Sequence, residues 1–170
     1  MLFRSLDIGS GWGGMALHLA REHGVRVTGV TLSRGQHATS VQRAKDQGLE
    51  GRVNFRLLDY RLETGVYDRI VSVGMFEHVG APQFGEYFDH VMRLMKDDGV
   101  ALIHTIGKND GPAPIGPWVQ KYIFPGAYIP AMSELAPVFE KRRLWMTDLE
   151  VWRIHYAKTL AAWYDRFETH

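Results

Sequence analysis

Four glycines crowd into the six residues Gly9–Gly14, and Asp7 stands two places before the first of them. Far downstream, Glu77, His78 and His104 fall where short apolar runs end. A glycine-rich turn lets backbone approach a ligand closely, because no Cβ stands in the way. Gly9, Gly11 and Gly14 fit the G-x-G-x-x-G spacing with which a strand–turn–helix unit cradles a pyrophosphate. Such a dinucleotide site also wants an acid at the end of the next strand, for the ribose hydroxyls. That stretch reads GVTLS, with Thr31 and no carboxylate, and Asp7 occupies a place those sites keep apolar. A tight turn with no ligand is the other reading of the loop, but four glycines cost more backbone entropy than a bare turn requires. Glu77 carries a separate signal, since a carboxylate at a strand end is costly to bury unless it is hydrogen-bonded. With a histidine at the end of the following strand, it suits hydrogen bonding and proton handling beside a ligand.

The elements that must position these residues alternate along the chain. FRSLDIG, from residue 3, reads as a strand and GMALHLAREHG as a helix closed by Gly24. VRVTGVTLS is the next strand, followed by a helix from Arg34 to Gln47. RVNFRLLD and YDRIVSVGMFEH are the third and fourth strands. PQFGEYFDHVMRLMK carries Phe84, Phe88, Val91, Met92 and Met95 at helical spacing, and GVALIHTI is the fifth strand. Strands alternating with helices of this length predict βαβ units and a parallel sheet, and near-continuous apolar strands predict cover on both faces. After Ile106 the texture changes. GKNDGPAPIGPW concentrates three prolines and three glycines and predicts a long loop. A helix over Met132–Arg143, a sixth strand LWMTDLEVW and a final helix from HYAKTL onward complete the reading. The 170 residues form one domain, 1–106 being the ligand-binding half and 107–170 a substrate-side loop with C-terminal helices.

Twenty basic and nineteen acidic residues leave a net charge of +1, so no global field favours nucleic acid. There is no cysteine, which removes disulfides, thiolate metal sites and thiol nucleophiles from these residues, and no metal site is expected. No apolar segment is long enough to span a bilayer, and no signal peptide is expected, since MLFRSLDIGS holds no apolar h-region. A cytoplasmic location is expected.

Asp7 followed by Gly9, Gly11 and Gly13 resembles the first motif of Rossmann-like methyltransferases that use S-adenosylmethionine. LDIGSGWGG, GVTLSRGQ, DRIVSVGMFEHVG, LIHTIG, YIFPGAYIP and HYAKTL follow in the order of one branch, the cyclopropane-fatty-acyl-phospholipid synthases with their mycolic acid relatives. The resemblance runs from about Leu6 to the last residue. It accounts for the missing acid, since this family keeps Thr and a following Gln there, as Thr31 and Gln36. The implied fold is the class I methyltransferase core, a mostly parallel twisted sheet with helices on both faces. The implied cofactor is S-adenosylmethionine, contacted by Asp7, Gly9, Gly11, Gly13, Thr31, Leu32, Gln36 and the Asp59–Tyr60–Arg61 turn, with Tyr60 flanking the adenine.

The implied reaction moves the cofactor's methyl to a cis double bond of an unsaturated acyl chain of a phospholipid, and the resulting carbocation loses a proton and closes to a cyclopropane. Bicarbonate is the implied base, held by Glu77, His104, Tyr156 and the backbone near Val73. Aromatic faces favour a cation, and Phe76, Tyr122 and Phe124 are the candidates. Family members also carry a long N-terminal lid region with a cysteine of the bicarbonate site, and a final antiparallel strand beside the fifth; both are expected to be missing here. An unfilled sheet position would then promote self-association as a homo-oligomer. Peripheral contact with the inner membrane surface is expected through the loop bearing Trp118, Tyr122 and Phe124. Two further readings stay open: a cofactor-binding remnant or partner module without turnover, and a methyltransferase of another lipid or small molecule.

Overall fold

The computed structural model describes residues 3–169. Five strands, β1 (Arg4–Ile8), β2 (Arg26–Thr31), β3 (Val53–Leu57), β4 (Tyr67–Val73) and β5 (Met95–His104), form one sheet in the order β3-β2-β1-β4-β5. Every ladder is parallel, as the alternating strand and helix pattern requires. The chain runs outward from β1 to β3, then returns to place β4 on the other side of β1. That reversal opens a crevice at the C-terminal ends of β1 and β4, where sheets of this kind bind ligands.

Two layers of helix cover the sheet. On one face α1 (Gly14–His23) and α2 (Arg34–Asp46) bury Ala16, Leu17, Ala20 and Ala44 against Val27, Val53 and Phe55. On the other, α3 (Phe84–Leu94) lays Phe84, Tyr87, Phe88, Val91 and Leu94 over Leu6, Ile8, Val30 and Ile70. The buried stripe of α3 includes Tyr87 rather than Met92, which is exposed. α5 (Met132–Arg142) backs α3, pinned by a two-pronged bond from Arg142 to Asp89 at 2.7 Å on each arm. Gly85 makes room for it, since a Cβ there would lie 2.5 Å from the guanidinium. A short α4 (Pro117–Tyr122) sits within the proline-rich segment, and α6 (Arg153–Glu168) ends the described chain.

Three expectations shift. α3 ends at Leu94 and Met95 already pairs with Tyr67, so β5 starts four residues early and slips register before Arg69 pairs with Val100. β5 stops at His104 because Thr105 and Ile106 leave the ladder; Ile106 gives its amide to a side chain instead. The predicted sixth strand, 144–152, does not form. A strand needs a neighbour for its backbone groups, and β5, the edge strand, pairs only with β4 among the described residues. Accordingly Trp145, Met146, Leu149 and Val151 stand exposed.

The central position of β1 makes its side chains decisive for stability. Leu6 is fully buried in the aromatic-rich core, and Leu6→Ala is expected to lower the unfolding free energy by about 3 kcal/mol. Urea unfolding checks this; a loss below about 1 kcal/mol would show that the core collapses around the gap.

Candidate cofactor and active site

The loop between β1 and α1 holds Gly9, Gly11 and Gly13 at φ 78°, 52° and 81°, a left-handed region that side chains rarely adopt. Two of the three are also sterically fixed. A Cβ on Gly9 would meet the Met75 side chain at 2.6 Å, and one on Gly13 would meet Phe55 at 2.7 Å and Ser40 at 2.9 Å. At Gly11 the space is open, with only the Gly9 carbonyl at 4.0 Å, so its backbone is left bare toward the crevice. The amides of Gly9 and Ser10 both donate to the Val30 carbonyl, at 3.0 and 2.9 Å, and tie the loop to β2. Arg43 of α2 donates to the Trp12 carbonyl at 2.7 Å and anchors the other end.

Beneath the loop Asp7 is buried and accepts a hydrogen bond from the Ala16 amide, in the first turn of α1. Its Oδ2 and the Ser10 hydroxyl are both buried without a hydrogen-bond partner among the described residues. Burial pushes the Asp7 carboxyl up to about 7, the Ala16 amide offsetting only part of that cost.

At the end of β2, Thr31 and Gln36 come together. The Thr31 hydroxyl donates to Gln36 Oε1 at 3.3 Å and accepts from the Ser33 amide at 3.2 Å. Ser33 caps α2 by accepting the Gln36 amide, so the cap orients the glutamine. Leu32 projects beside them, largely exposed. After β3, Asp59 caps a single 3-10 turn and grips the Arg61 guanidinium, with Arg61 Nη2 at 2.6 Å. That hydrogen bond holds the Asp59 carboxyl below its usual range. Tyr60 packs edge-on against Tyr87 and His90, with ring centroids 5.5 and 5.8 Å away.

The strand ends beyond β1 supply the second half of the site. β4 ends at Val73, which pairs with His104, and the Gly74 amide donates to the His104 carbonyl at 3.1 Å. Glu77 lies in the following 3-10 turn, buried. Its Oε1 accepts the Ile106 amide at 2.6 Å, and its carbonyl accepts the Tyr128 amide at 2.7 Å. Its Oε2 is buried with no partner among the described residues. The fold thus brings Glu77 to the segment that carries His104, while His78 is exposed. The His104 ring contacts Trp152 at 5.8 Å, and Trp152 in turn contacts His155 in the first turn of α6. Tyr156, one residue on, is 42% exposed and packs against Trp163, with no hydrogen bond to its hydroxyl among the described residues. Of the aromatic candidates, Phe76 is fully enclosed by Phe84, Tyr87 and Phe88, Tyr122 is exposed beside Trp118, and Phe124 is half-buried.

Sequence reasoning missed Met75, Arg43 and Trp12. The mid-helix Arg43 gives no local signal. Met75 is legible only once Gly9 is known to lie against it, and Trp12, exposed inside a run of glycines, was the visible oddity. The residues present fit an organic cofactor. Bare backbone at Gly11, orphaned oxygens on Asp7 and Ser10 and the paired Thr31 and Gln36 all surround the switch point of the sheet. The orphaned Glu77 oxygen fits a small hydrogen-bonding partner.

Strand order, glycine loop and site position define the class I methyltransferase fold. Residues 3–170 match the family model for mycolic acid cyclopropane synthetase, and the chain belongs to that family. It is 43% identical over 164 residues to the cyclopropane-fatty-acyl-phospholipid synthase of Escherichia coli K12, covering 96% of this chain and 42% of that protein. A probable fatty acid methyltransferase of Pseudomonas putida is 37% identical over 170 residues, covering 96% of this chain and 43% of the relative. The solved cyclopropane synthase MmaA2 of Mycobacterium tuberculosis superposes with a TM-score of 0.86 at 29% identity, over 99% of this chain and 64% of that one. Mycolic acid cyclopropane synthase CmaA1, solved with SAH and CTAB, gives 0.85 at 28% identity, over 95% and 61%. The chain therefore spans less than half the length of these two curated relatives.

The Asp7 environment has a measurable consequence. The folded state keeps this proton where the unfolded chain has released it, so between the ordinary carboxylate range and about pH 7 the folded protein binds more protons. Stability therefore falls as pH rises across that window, and Asp7→Asn should flatten the fall. Thermal unfolding of both proteins at pH 4.5, 5.5, 6.5 and 7.5 checks this; parallel profiles would contradict it.

Proposed function

We propose that this chain is the cofactor-binding and catalytic core of an S-adenosylmethionine-dependent enzyme that methylates the cis double bond of an unsaturated phospholipid acyl chain, giving a cyclopropane. The observation that carries the reading is Glu77, a buried carboxylate with one oxygen fixed on the Ile106 amide, just past the end of β5, and the other without a partner among the described residues. Family membership and the names of the relatives support it. When bound, S-adenosylmethionine supplies an electrophilic methyl on its sulfonium, and bicarbonate supplies a proton acceptor small enough for an apolar site.

The chain's own residues hold and orient. Gly9, Gly11 and Gly13 present bare backbone to the cofactor, Asp7 and Ser10 offer buried oxygens beneath it, and Thr31, Leu32 and Gln36 flank it at the end of β2. Tyr60 offers an aromatic face to the adenine, with Asp59 and Arg61 fixing its turn. Glu77, with its unpartnered Oε2, together with His104, Tyr156 and the backbone near Val73, would hold the bicarbonate, the carboxylate as acceptor and the others as donors. An alkene is a poor nucleophile, so holding it in line with the methyl must supply much of the acceleration. Exposed Trp118 and Tyr122 support peripheral contact with the membrane that holds the substrate, and no described helix is long and apolar enough to cross one. The open edge of β5 supports self-association.

One observation favours a second reading, a cofactor-binding module that does not turn over alone. Tyr156 stands on a helix with no buried residue, so its hydroxyl is not held toward Glu77. Incubation with S-adenosylmethionine and dioleoyl phosphatidylglycerol vesicles, followed by mass spectrometry of the acyl chains, separates the two. The leading reading expects a gain of 14 mass units as a ring, falling at least about 100-fold in Glu77→Gln with unchanged S-adenosylhomocysteine affinity. Tight S-adenosylhomocysteine binding with no product would favour the module, and a methyl-branched product would move the reaction to another fate of the cation.

A further inference from the structure

Residues 107–127 leave the end of β5 and return at Tyr128, carrying α4 and the exposed Trp118 and Tyr122. Among the described residues, no hydrogen bond from 109–127 reaches past Lys108, whose ammonium donates to the Ala113 carbonyl. The excursion is therefore held at its neck. There the Lys108 amide donates to the Pro130 carbonyl at 3.2 Å, and Lys108 forms a single parallel bridge with Ala131. Glu77 grips both ends of the same neck. Its side chain takes the Ile106 amide on the way out, and its backbone carbonyl takes the Tyr128 amide on the way back.

Tyr128 is itself locked from α3 and α5. Its hydroxyl donates to Glu134 Oε1 at 2.6 Å, and Glu134 Oε2 accepts the Ala131 amide at 2.9 Å where α5 begins. The tyrosine ring leans on Phe84 of α3, centroids 6.1 Å apart, with the Lys108 ammonium 5.9 Å from its centroid. The carboxylate partner raises the Tyr128 hydroxyl above its ordinary range, so it stays protonated and donating. α5 in turn is fixed to α3 through Arg142 and Asp89. An unbroken line of contacts thus runs from the helical layer through Glu134 and Tyr128 to the backbone of Glu77. An acid in the first turn closes a helix end without a tyrosine, and a loop can be tied to any exposed carbonyl. This tie ends on the residue whose buried Oε2 has no partner among the described residues.

We propose that Tyr128 and Glu134 are positioning residues for Glu77, keeping the Ile106 amide on Oε1 so that Oε2 is left for a ligand. Were the neck loose, the Ile106 amide would move off with the excursion, and the buried carboxylate would lose its fixed orientation. A binding group keeps its geometry only when the residues supporting it are locked in turn. The inference rests on the reading of Glu77 as a ligand-binding carboxylate of the methyl-transfer site.

Amide hydrogen exchange of the isotope-labelled full chain, read at Ile106 by NMR, tests it without turnover. The expected result is about tenfold faster Ile106 exchange in Tyr128→Phe, and a smaller acceleration in Glu134→Gln, whose amide oxygen still accepts the phenol. In a Glu77→Met background, where the side chain offers no carboxylate, Tyr128→Phe should add nothing, because its effect acts through Glu77. Glu134→Ala is the second variant if Tyr128→Phe fails to fold, and Glu77→Leu the second background. In Tyr128→Phe the kcat for ring formation should fall about tenfold with KM for S-adenosylmethionine unchanged. Unchanged Ile106 exchange, or unchanged kcat in a chain that turns over, would overturn the proposal. So would equal acceleration of exchange in both backgrounds, the mark of a neck that merely holds the loop. Absence of product from the wild-type chain would count against the methyl-transfer reading alone, since the exchange result stands without it.

Discussion

The turn after β1 is the constraint on which the rest of the site depends. It must pass between Met75 on one side and Phe55 with Ser40 on the other, and at Gly9 and Gly13 there is no volume for a side chain. All three of its odd-numbered glycines are left-handed, so the turn cannot relax into an ordinary helical or extended path. Because it is pinned to Val30 at one end and to Arg43 at the other, the loop presents its backbone rather than its side chains to the crevice.

Asp7 and Glu77 show the same device in two places. Each is a buried carboxyl with one oxygen satisfied by a backbone amide, Ala16 for Asp7 and Ile106 for Glu77, and the second oxygen of each has no partner among the described residues. A buried unpaired acceptor costs roughly 1–3 kcal/mol, so two such groups flanking one crevice are better explained by a ligand than by packing. Their environments differ in consequence. Asp7 is driven toward its neutral form by burial, which suits a group that meets positive charge only when a ligand arrives.

Much of this was legible in the residues. Glycine spacing and Asp7 located the loop, the absence of an acid at Thr31 argued against a dinucleotide, and alternation of strand and helix gave the parallel sheet and its cover. What was not legible depended on contacts distant in sequence. The early start of β5 follows from a ladder slip opposite Tyr67, which no local pattern marks. The segment 144–152 has a strand's composition but does not dock on the open edge of β5, and pairing rather than propensity decides. Tyr156 shares its first helical turn with His155, yet its helix buries nothing, so motif order placed it nearer the reacting groups than the contacts of this chain hold it.

The β1–α1 loop fits a sulfonium cofactor better than a dinucleotide or an empty turn. Isothermal titration of this chain with S-adenosylmethionine, with NADH as competitor and Gly11→Val as the variant, tests that most directly. Gly11 has room for a side chain but a φ of 52° that valine resists, so the variant alters the loop backbone without crowding the core. Saturable S-adenosylmethionine binding is expected, which NADH does not displace and which Gly11→Val abolishes. Equal binding by the variant, or displacement by NADH, would contradict it.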